Sequence, residues 1–376
     1  MVNKSPCFLA VKYNQTLKNR GAISNPEGRF EKTVSERFDD GWDLEEERLP
    51  PLETLLIPET SKSIITHNDS PDLRFNQSIN PYRGCEHGCI YCYARPSHAY
   101  MNFSPGIDFE TKIVYKKDAA TLLKNALNAP RYRCETLVLG ANTDPYQPAE
   151  SKLTITRRIL EVLLDHRHPV VIITKNAMIE RDLDLLSEMA RLNLVKVAVS
   201  VTSLSPQLKH IMEPRTSAPS GRLRAIRQLT ERGIPVQAMV APVIPMINDM
   251  ELEQILNAVS DAGARYASYV LVRLPYEVKI LFREWLTEHF PDRADHVMSL
   301  INQMRGGKDY DATFGKRMRG EGEYAKLLQT RFRLACKRYQ LNCQPASELA
   351  LHHFRKRPEK EGPHQLTLWD EYWGGE

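Results

Sequence analysis

Three of the chain's seven cysteines fall within eight residues, in "RGCEHGCIYCYARP", with the spacing Cys85-x3-Cys89-x2-Cys92. Thiolates are soft ligands. An odd number of cysteines crowded into one loop argues for metal or redox chemistry and against a disulfide scaffold. A structural zinc site uses four Cys or His ligands in two pairs. Here the second pair is missing, although His87 and His98 stand close enough in sequence to complete a zinc knot. A four-iron cluster usually takes four thiolates. Three would leave one iron without a protein ligand, and an open position is what a catalytic metal needs.

The elements around this loop must hold it. Residues 1–74 are polar, with turn signals such as "SNPEGRF" and "NDSPD", and read as an N-terminal extension. From there short apolar, β-branched runs alternate with helical periods. Strands are expected near "QSIN" and over 135–140, 169–175, 195–203, 234–245 and 265–275. Helices are expected over 156–165, 181–192, about 220–232 and 249–263, where Leu252, Ile255, Leu256 and Val259 recur at i, i+3, i+4, i+7. Strand–helix alternation predicts parallel βαβ units, as an open doubly wound sheet or as a barrel. The cysteine loop follows the first strand, and parallel α/β folds build their sites at strand carboxyl ends. Gly84 and Gly88 let the backbone turn tightly there. Residues 281–345 read as a helical C-terminal segment and 346–376 as a loosely structured tail.

Composition sets wider bounds. No apolar run approaches the ~20 residues of a membrane helix. The apolar segment of "MVNKSPCFLAVKYNQ" is too short for a secretory signal. A cytoplasmic protein with no membrane partner is expected. The net charge of +4 on 376 residues does not select a partner. Charge is uneven, however. Residues 39–47 are acidic, and 215–228, 305–320 and 352–360 are basic: solvated surface, or a site for an anionic partner.

The cysteine spacing, with Tyr91 just before the last cysteine, resembles the signature of the radical SAM superfamily. The resemblance covers about residues 75–280. It implies a partial (β/α)6 TIM-type barrel carrying a [4Fe-4S] cluster, with the open iron chelated by the amino and carboxylate groups of S-adenosylmethionine. It further implies an external reductant of flavodoxin or ferredoxin type, cleavage to methionine and a 5′-deoxyadenosyl radical, and hydrogen abstraction from a substrate. A closer resemblance is to a subgroup related to spore photoproduct lyase, which repairs a thymine dimer in DNA. It is carried by "SPDLRFNQSINPYRGCEHGCIYCYARPSHAY", "NTDPYQPAE", "TKNAMIERDLDLL" and "MEPR".

The same resemblance assigns roles to strand-end residues. The loop after the second strand contacts the methionine amino group in the superfamily. Here Asn142, Thr143 and Asp144 occupy it, without the usual Gly-Gly-Glu form; a turn with capping side chains is the alternative. Ser200 and Thr202 alternate at the end of the fourth strand and so share a face. They match the position that holds the ribose and carboxylate of the cofactor. Arg215 would pair with that carboxylate, or else with Glu213 on the surface. Lys175 ends the third strand and Arg273 the sixth, both towards the barrel mouth and either the cofactor or an anionic substrate. No acid/base dyad or hydrolytic triad stands out. Cys134 precedes the second strand, and Cys336 and Cys343 come late, so no hydrogen donor is assigned.

In the tail, Gln365, Leu366, Leu368 and Trp369 of "HQLTLWDEYW" resemble the peptide by which DNA repair and replication proteins dock on the bacterial sliding clamp. The alternative is a segment packed on the domain. The expected function is a radical SAM enzyme acting on nucleic acid, such as a DNA lesion. The alternatives are a radical SAM enzyme modifying a protein or small molecule, and a non-catalytic, metal-stabilised binding protein.

Overall fold

A computed structural model describes residues 20–30, 52–73, 75–345 and 347–357. The tail peptide with Gln365, Leu366, Leu368 and Trp369 lies outside the described residues. In chain order the strands are β1 Leu55–Glu59, β2 Ile65–His67, β3 Gln77–Ile79, β4 Tyr82–Arg83, β5 Lys112–Lys116, β6 Leu137–Leu139, β7 Val170–Thr174, β8 Val195–Ser200, β9 Val236–Val243 and β10 Tyr266–Leu271. The α-helices are α1 Asp108–Thr111, α2 Ala119–Asn128, α3 Glu150–Leu153, α4 Ile155–Asp165, α5 Leu183–Arg191, α6 Pro206–Met212, α7 Pro219–Glu231, α8 Leu252–Asp261, α9 Val278–His289, α10 Ala294–Gln303 and α11 Gly322–Arg338.

The main sheet has the order β10-β9-β8-β7-β6-β3-β2. Its strands from β3 to β10 are all parallel, and β2 adds antiparallel to β3. Each parallel strand lies beside the previous one in sequence. A doubly wound sheet reverses its order at a switch point; this one never does. The fold is therefore a partial (β/α)6 barrel. β1, β5 and β4 form a small second sheet, with Pro58 on its edge strand β1, where a missing N–H costs nothing.

The strands are apolar on both faces because both are covered. In β8, Val195 and all of Val197–Ser200 are buried. The helices each offer one apolar stripe to the outside of the sheet: Ile155, Ile159, Leu160 and Leu163 on α4, and Leu252, Ile255, Leu256 and Val259 on α8. Full burial of such a side chain contributes about 1.5–3 kcal/mol. These residues form one large core. A second core lies at the carboxyl-end side. There Phe282, Trp285 and Leu286 of α9 and Val297 and Ile301 of α10 pack against Cys89, Ile90 and Tyr91. Trp285 Nε1 also donates to the Ile211 carbonyl at 3.0 Å.

Some elements differ from the sequence expectation. The single helix expected over 181–192 is a 3-10 segment, Ala177–Asp182, followed by α5. The Asn176 side chain caps the Met178 amide at 3.0 Å, so the chain begins to coil early. Strands β1, β4 and β5 and helices α2 and α6 were not legible. They are short, or their apolar positions (Leu123 and Leu127 on α2) sit among unperiodic residues. Residues 347–357 are not loose. They run beneath the strand amino ends, with Ala350 N donating to Asn193 O and Arg355 N to His166 O, both at 2.9 Å.

The basic segment 305–320 spans the gap between the two edge strands. Leu271 N, ending β10, donates to Met318 O at 3.0 Å. Gly315 N and Arg317 Nε both reach Asp72, beyond β2, at 2.5 Å. No described helix is long and apolar enough to cross a membrane.

Candidate functional site

The cysteine loop leaves β3 and turns back through two tight points. Gly84 has φ +80°, and a Cβ there would lie 2.7 Å from the His98 ring. Gly88 has φ +66°, and a Cβ would meet the Glu110 carboxylate at 2.6 Å. Cys85 N donates to Phe109 O at 2.9 Å and Ile90 N to Met212 O at 3.1 Å, which ties the loop to its neighbours on both sides. Cys85 and Cys89 are buried, and Cys92 is half-buried.

The loop's carbonyls are gathered by one side chain. Arg95 is fully buried and donates to the carbonyls of Cys89 at 3.0 Å, Gly88 at 3.2 Å, Pro105 at 3.1 Å and Gly106 at 2.8 Å. It also pairs with the fully buried Glu110 at 2.5 Å. Glu110 in turn accepts the amides of Gly21 at 2.9 Å and Ala22 at 2.8 Å, fastening the N-terminal segment beneath the loop. Neither residue lies on a periodic stripe, so nothing in the sequence marked them.

The "NTDPYQPAE" loop after β6 is used mostly to build this cradle. Asn142 is exposed, and its amide donates to Asn80 Oδ1 at 2.9 Å. Thr143 is buried and donates to Tyr82 O at 2.7 Å. Asp144 accepts from Tyr146 N at 2.9 Å, Thr174 Oγ1 at 2.8 Å and Lys175 N at 2.7 Å. Burial pushes its carboxyl pKa up, but His87 and these donors outweigh burial and hold it below the usual range. Gln147 clamps the cysteine loop directly, accepting Glu86 N at 2.9 Å and donating to Gly84 O at 3.3 Å.

Of the two histidines of the zinc alternative, His87 is held through both ring nitrogens and His98 through one, its buried Nδ1 having no hydrogen-bond partner. His87 is buried, with Nδ1 3.4 Å from Asp144 and Nε2 3.1 Å from the Asn176 amide nitrogen. Asn176 Oδ1 accepts from Ser217 and Met178, so Nδ2 is its donor end and His87 Nε2 must accept. His98 packs edge-on against Phe109, and its Nε2 faces the Lys112 carbonyl at 3.0 Å. Burial lowers its pKa to about 4. Among the described residues no three His, Cys, Asp or Glu side chains converge on a single metal ion. A cubane holds its irons at separate corners, so its thiolates need not converge.

Behind the cysteines lies a buried charge network. Glu213 accepts from Thr202 Oγ1 at 2.7 Å and from the Tyr91 hydroxyl, and pairs with Arg222 of α7. Arg222 also donates to Ser200 O at 3.1 Å, Ser217 O at 3.0 Å and Thr216 Oγ1 at 2.6 Å. Burial pushes the Glu213 carboxyl up, yet Arg222, Lys175 and the Tyr91 hydrogen bond hold it at about 2. The structure thus brings Tyr91, Ser200 and Thr202 together. Arg215 stands apart from them. It pairs with Glu86 at 3.0 Å, while Glu213 takes Arg222, so the expected surface pair of Glu213 and Arg215 does not form.

Two cations follow the carboxyl ends of strands, Lys175 after β7 and Arg273 after β10. Lys175 lies near Cys89, Glu213 and Asp144, which outweigh the lowering effect of burial and raise its pKa. Arg273 lies 5.1 Å from the ring centroid of Tyr93 and donates to Tyr310 at 3.3 Å. Neither has a carboxylate partner within 4.0 Å among the described residues. Tyr93, which the sequence did not single out, follows Cys92 directly, donates to the Ala141 carbonyl and is 45% exposed.

The loop's donors are thiols, the ligands an iron–sulfur cluster takes. Burial first, then Asp144 and the neighbouring cysteines, push the Cys85 thiol well up; burial and Glu213 do the same to Cys89. Thiolates so placed need bound positive charge to form. The loop supplies three sulfurs and no fourth protein ligand.

The family model of the radical SAM superfamily matches residues 79–259. An uncharacterized protein of Mycobacterium tuberculosis is 38% identical over 233 residues, which is 61% of this chain and 68% of that protein. An uncharacterized protein of Methanocaldococcus jannaschii is 30% identical over 219 residues, 58% of this chain and 78% of that one. Among solved structures, spore photoproduct lyase complexed with dinucleoside spore photoproduct has a TM-score of 0.55 at 16% identity, covering 76% of this chain and 79% of that one. That likeness is one of fold.

Proposed function

The chain belongs to the radical SAM superfamily, and from that premise we propose that Cys85, Cys89 and Cys92 hold a [4Fe-4S] cluster and that the enzyme acts on nucleic acid. Held by these three thiolates, such a cluster would supply the single electron, drawn from an external reductant, for reductive cleavage of S-adenosylmethionine to methionine and a radical able to take hydrogen from a substrate. The observation that carries the assignment is the set of three free thiols in the loop beyond β3, with His87 held through both ring nitrogens by Asp144 and Asn176.

The chain's own residues have distinct tasks. Arg95 and Gln147 fix the loop backbone so that the three sulfurs keep their places. Asn142 is the residue of its loop with an exposed side chain and is the candidate for the cofactor's amino group; Thr143 and Asp144 shape the loop around it. Tyr91, Ser200 and Thr202, held by Glu213 and Arg222, form the wall proposed for the adenosine. Lys175 is placed for the cofactor carboxylate or for a substrate anion, and Arg273 for a substrate anion. Arg215, paired with Glu86 at 3.0 Å, remains a candidate for the cofactor carboxylate.

Support for nucleic acid comes from these cations without acidic partners and from the basic segment that bridges the two edge strands. The fold-mate spore photoproduct lyase is seen with a dinucleoside lesion, which is consistent with that class. Sliding-clamp docking through Gln365, Leu366, Leu368 and Trp369 would bring the enzyme to DNA, and a flavodoxin- or ferredoxin-type protein is the proposed reductant.

Anaerobic reconstitution tests the first part. About four irons per chain and reductive formation of 5′-deoxyadenosine are expected, and zinc retention without turnover would sink it. Replacing any one of Cys85, Cys89 or Cys92 by Ala should abolish both signals. For the second part, added DNA or RNA should bind with an affinity that falls steeply with salt. Binding with no salt dependence, or turnover stimulated only by a peptide or small molecule, would favour the other substrate classes.

A further inference from the structure

The large aromatic side chains exposed among the described residues are Phe30 (48%), Tyr93 (45%), Tyr100 (72%), Tyr276 (62%) and Phe314 (54%). Tyr93, Tyr100 and Tyr276, with Phe30 against Tyr100, lie towards the carboxyl ends of the strands. Tyr93 and Tyr100 follow Cys92 beyond the carboxyl end of β3, and Tyr276 follows the carboxyl end of β10. Phe314 stands apart from them, because Gly315 beside it is held by Asp72 in the turn between β2 and β3, at the amino end of β3. Phe30 packs tilted against Tyr100 with centroids 5.0 Å apart.

Each ring is also paired with a guanidinium. Arg29 is 3.9 Å from the Tyr276 centroid, 5.3 Å from Phe30 and 5.6 Å from Tyr100. Arg273 is 5.1 Å from Tyr93 and Arg317 is 4.6 Å from Phe314. Core packing does not account for rings left this open to solvent. Tyr276 also holds a backbone φ of +49°, a conformation that costs a side-chain-bearing residue energy and recurs at ligand sites. Arg273 has no carboxylate partner among the described residues; its terminal nitrogens meet only the neutral Tyr310 hydroxyl at 3.3 Å and Met318 Sδ at 3.6 Å.

We propose that this rim is a stacking platform for the unpaired bases of a single-stranded nucleic acid, or of a strand locally opened, with Arg273 taking a phosphate. A single strand offers flat π faces to the rings and an anion to Arg273; Arg29 and Arg317 are already paired with Glu277 at 3.7 Å and Asp72 at 2.5 Å and serve to hold the rings. A duplex hides its base faces in its own stack. An acidic protein would match the cations and leave the solvent-open rings without a reason. The inference rests on the nucleic-acid reading above and adds how the strand is held.

The test is fluorescence anisotropy of the full chain with a labelled single strand of about 12 nucleotides, a span within what such platforms engage. It is repeated with the duplex and with an abasic strand of the same length. Tyr276→Ala and Tyr100→Ala are each expected to weaken single-strand binding about 5- to 100-fold. Tyr276→Phe, which keeps the ring, should retain it, as should Leu334→Ala on the exposed face of α11. The abasic strand should bind at least as weakly as the alanine variants bind the normal one. If the abasic strand or the duplex binds as tightly as the single strand, or the alanine variants bind normally, the platform is wrong while the nucleic-acid reading stands. If no nucleic acid binds at all, both fall.

Discussion

The mouth and the floor of the barrel are held by different forces. At the floor, apolar side chains such as Leu137, Val170 and Val195 meet the chain's own backbone, which crosses beneath them through amide hydrogen bonds from residues 347–357. At the mouth, charges are buried in pairs: Arg95 with Glu110 at 0% exposure each, Arg222 with Glu213 at 1% each. Burying charge is unfavourable unless every partner is present. The floor therefore tolerates small losses, and the mouth holds a fixed geometry that fails abruptly when one partner goes. A site that must hold three sulfurs and a cofactor needs that second kind of construction.

The largest way to break this contrast is Glu213→Ala, which leaves Arg222 buried without its carboxylate. A loss of about 3–5 kcal/mol is expected in urea unfolding. Adding Arg222→Met should recover part of it; a double variant no more stable than the single would show that the pair was not the cause.

A matched pair of core truncations sharpens the comparison. Trp285→Ala should cost about 3–5 kcal/mol and Leu163→Ala about 2–5 kcal/mol. Only the first should also lower iron incorporation, because Trp285 belongs to the core packed on Cys89, Ile90 and Tyr91. Equal incorporation by both variants would remove the functional distinction between the two cores.

Acid should strain both ends together. His98 near the mouth and His168 at the floor are held neutral by burial, each lowered to about 4 from an ordinary 6.5. Between those values the unfolded chain binds protons that the folded one refuses, so stability falls as pH falls through that window. The limit is on the order of 3 kcal/mol for each histidine. His168→Gln should remove about half of this fall, as read from unfolding at pH 7 and pH 4. Glu213 acts in a separate range: its contribution is complete above its ordinary 4.5 and is lost only as pH approaches 2.

Arg157→Ala should matter least. It pairs with Asp184, which is 59% exposed, and with Asp182, which keeps Arg181. A change under about 1 kcal/mol is expected, and a larger one would mean that surface pairing carries more of the fold than supposed.

The long helices and buried strands were legible because their apolar spacing repeats. In α8, Leu252, Ile255, Leu256 and Val259 recur at the helical period, and β7 is a run of β-branched residues. β4 and β5 were not legible, because a strand of two residues such as Tyr82–Arg83 has no period to detect. At the site, the cysteine triad and Tyr91 could be read from spacing. Arg95, Glu110, Gln147 and Arg222 could not, since a lone charged residue looks the same in sequence whether it is solvated or buried.

By itself the sequence determined the chemistry of the site and the order of its elements. Three thiols at x3 and x2 spacing after a first strand, and six βα repeats behind them, are local facts that require no folding to count. Only the tertiary structure decided that the repeats wind in one direction, that His87 is held between Asp144 and Asn176, and that Glu213 takes Arg222 and leaves Arg215 to Glu86. Those choices depend on which charges meet out of water, where an absent partner costs several kcal/mol. Which charges meet is set by contacts distant in the chain.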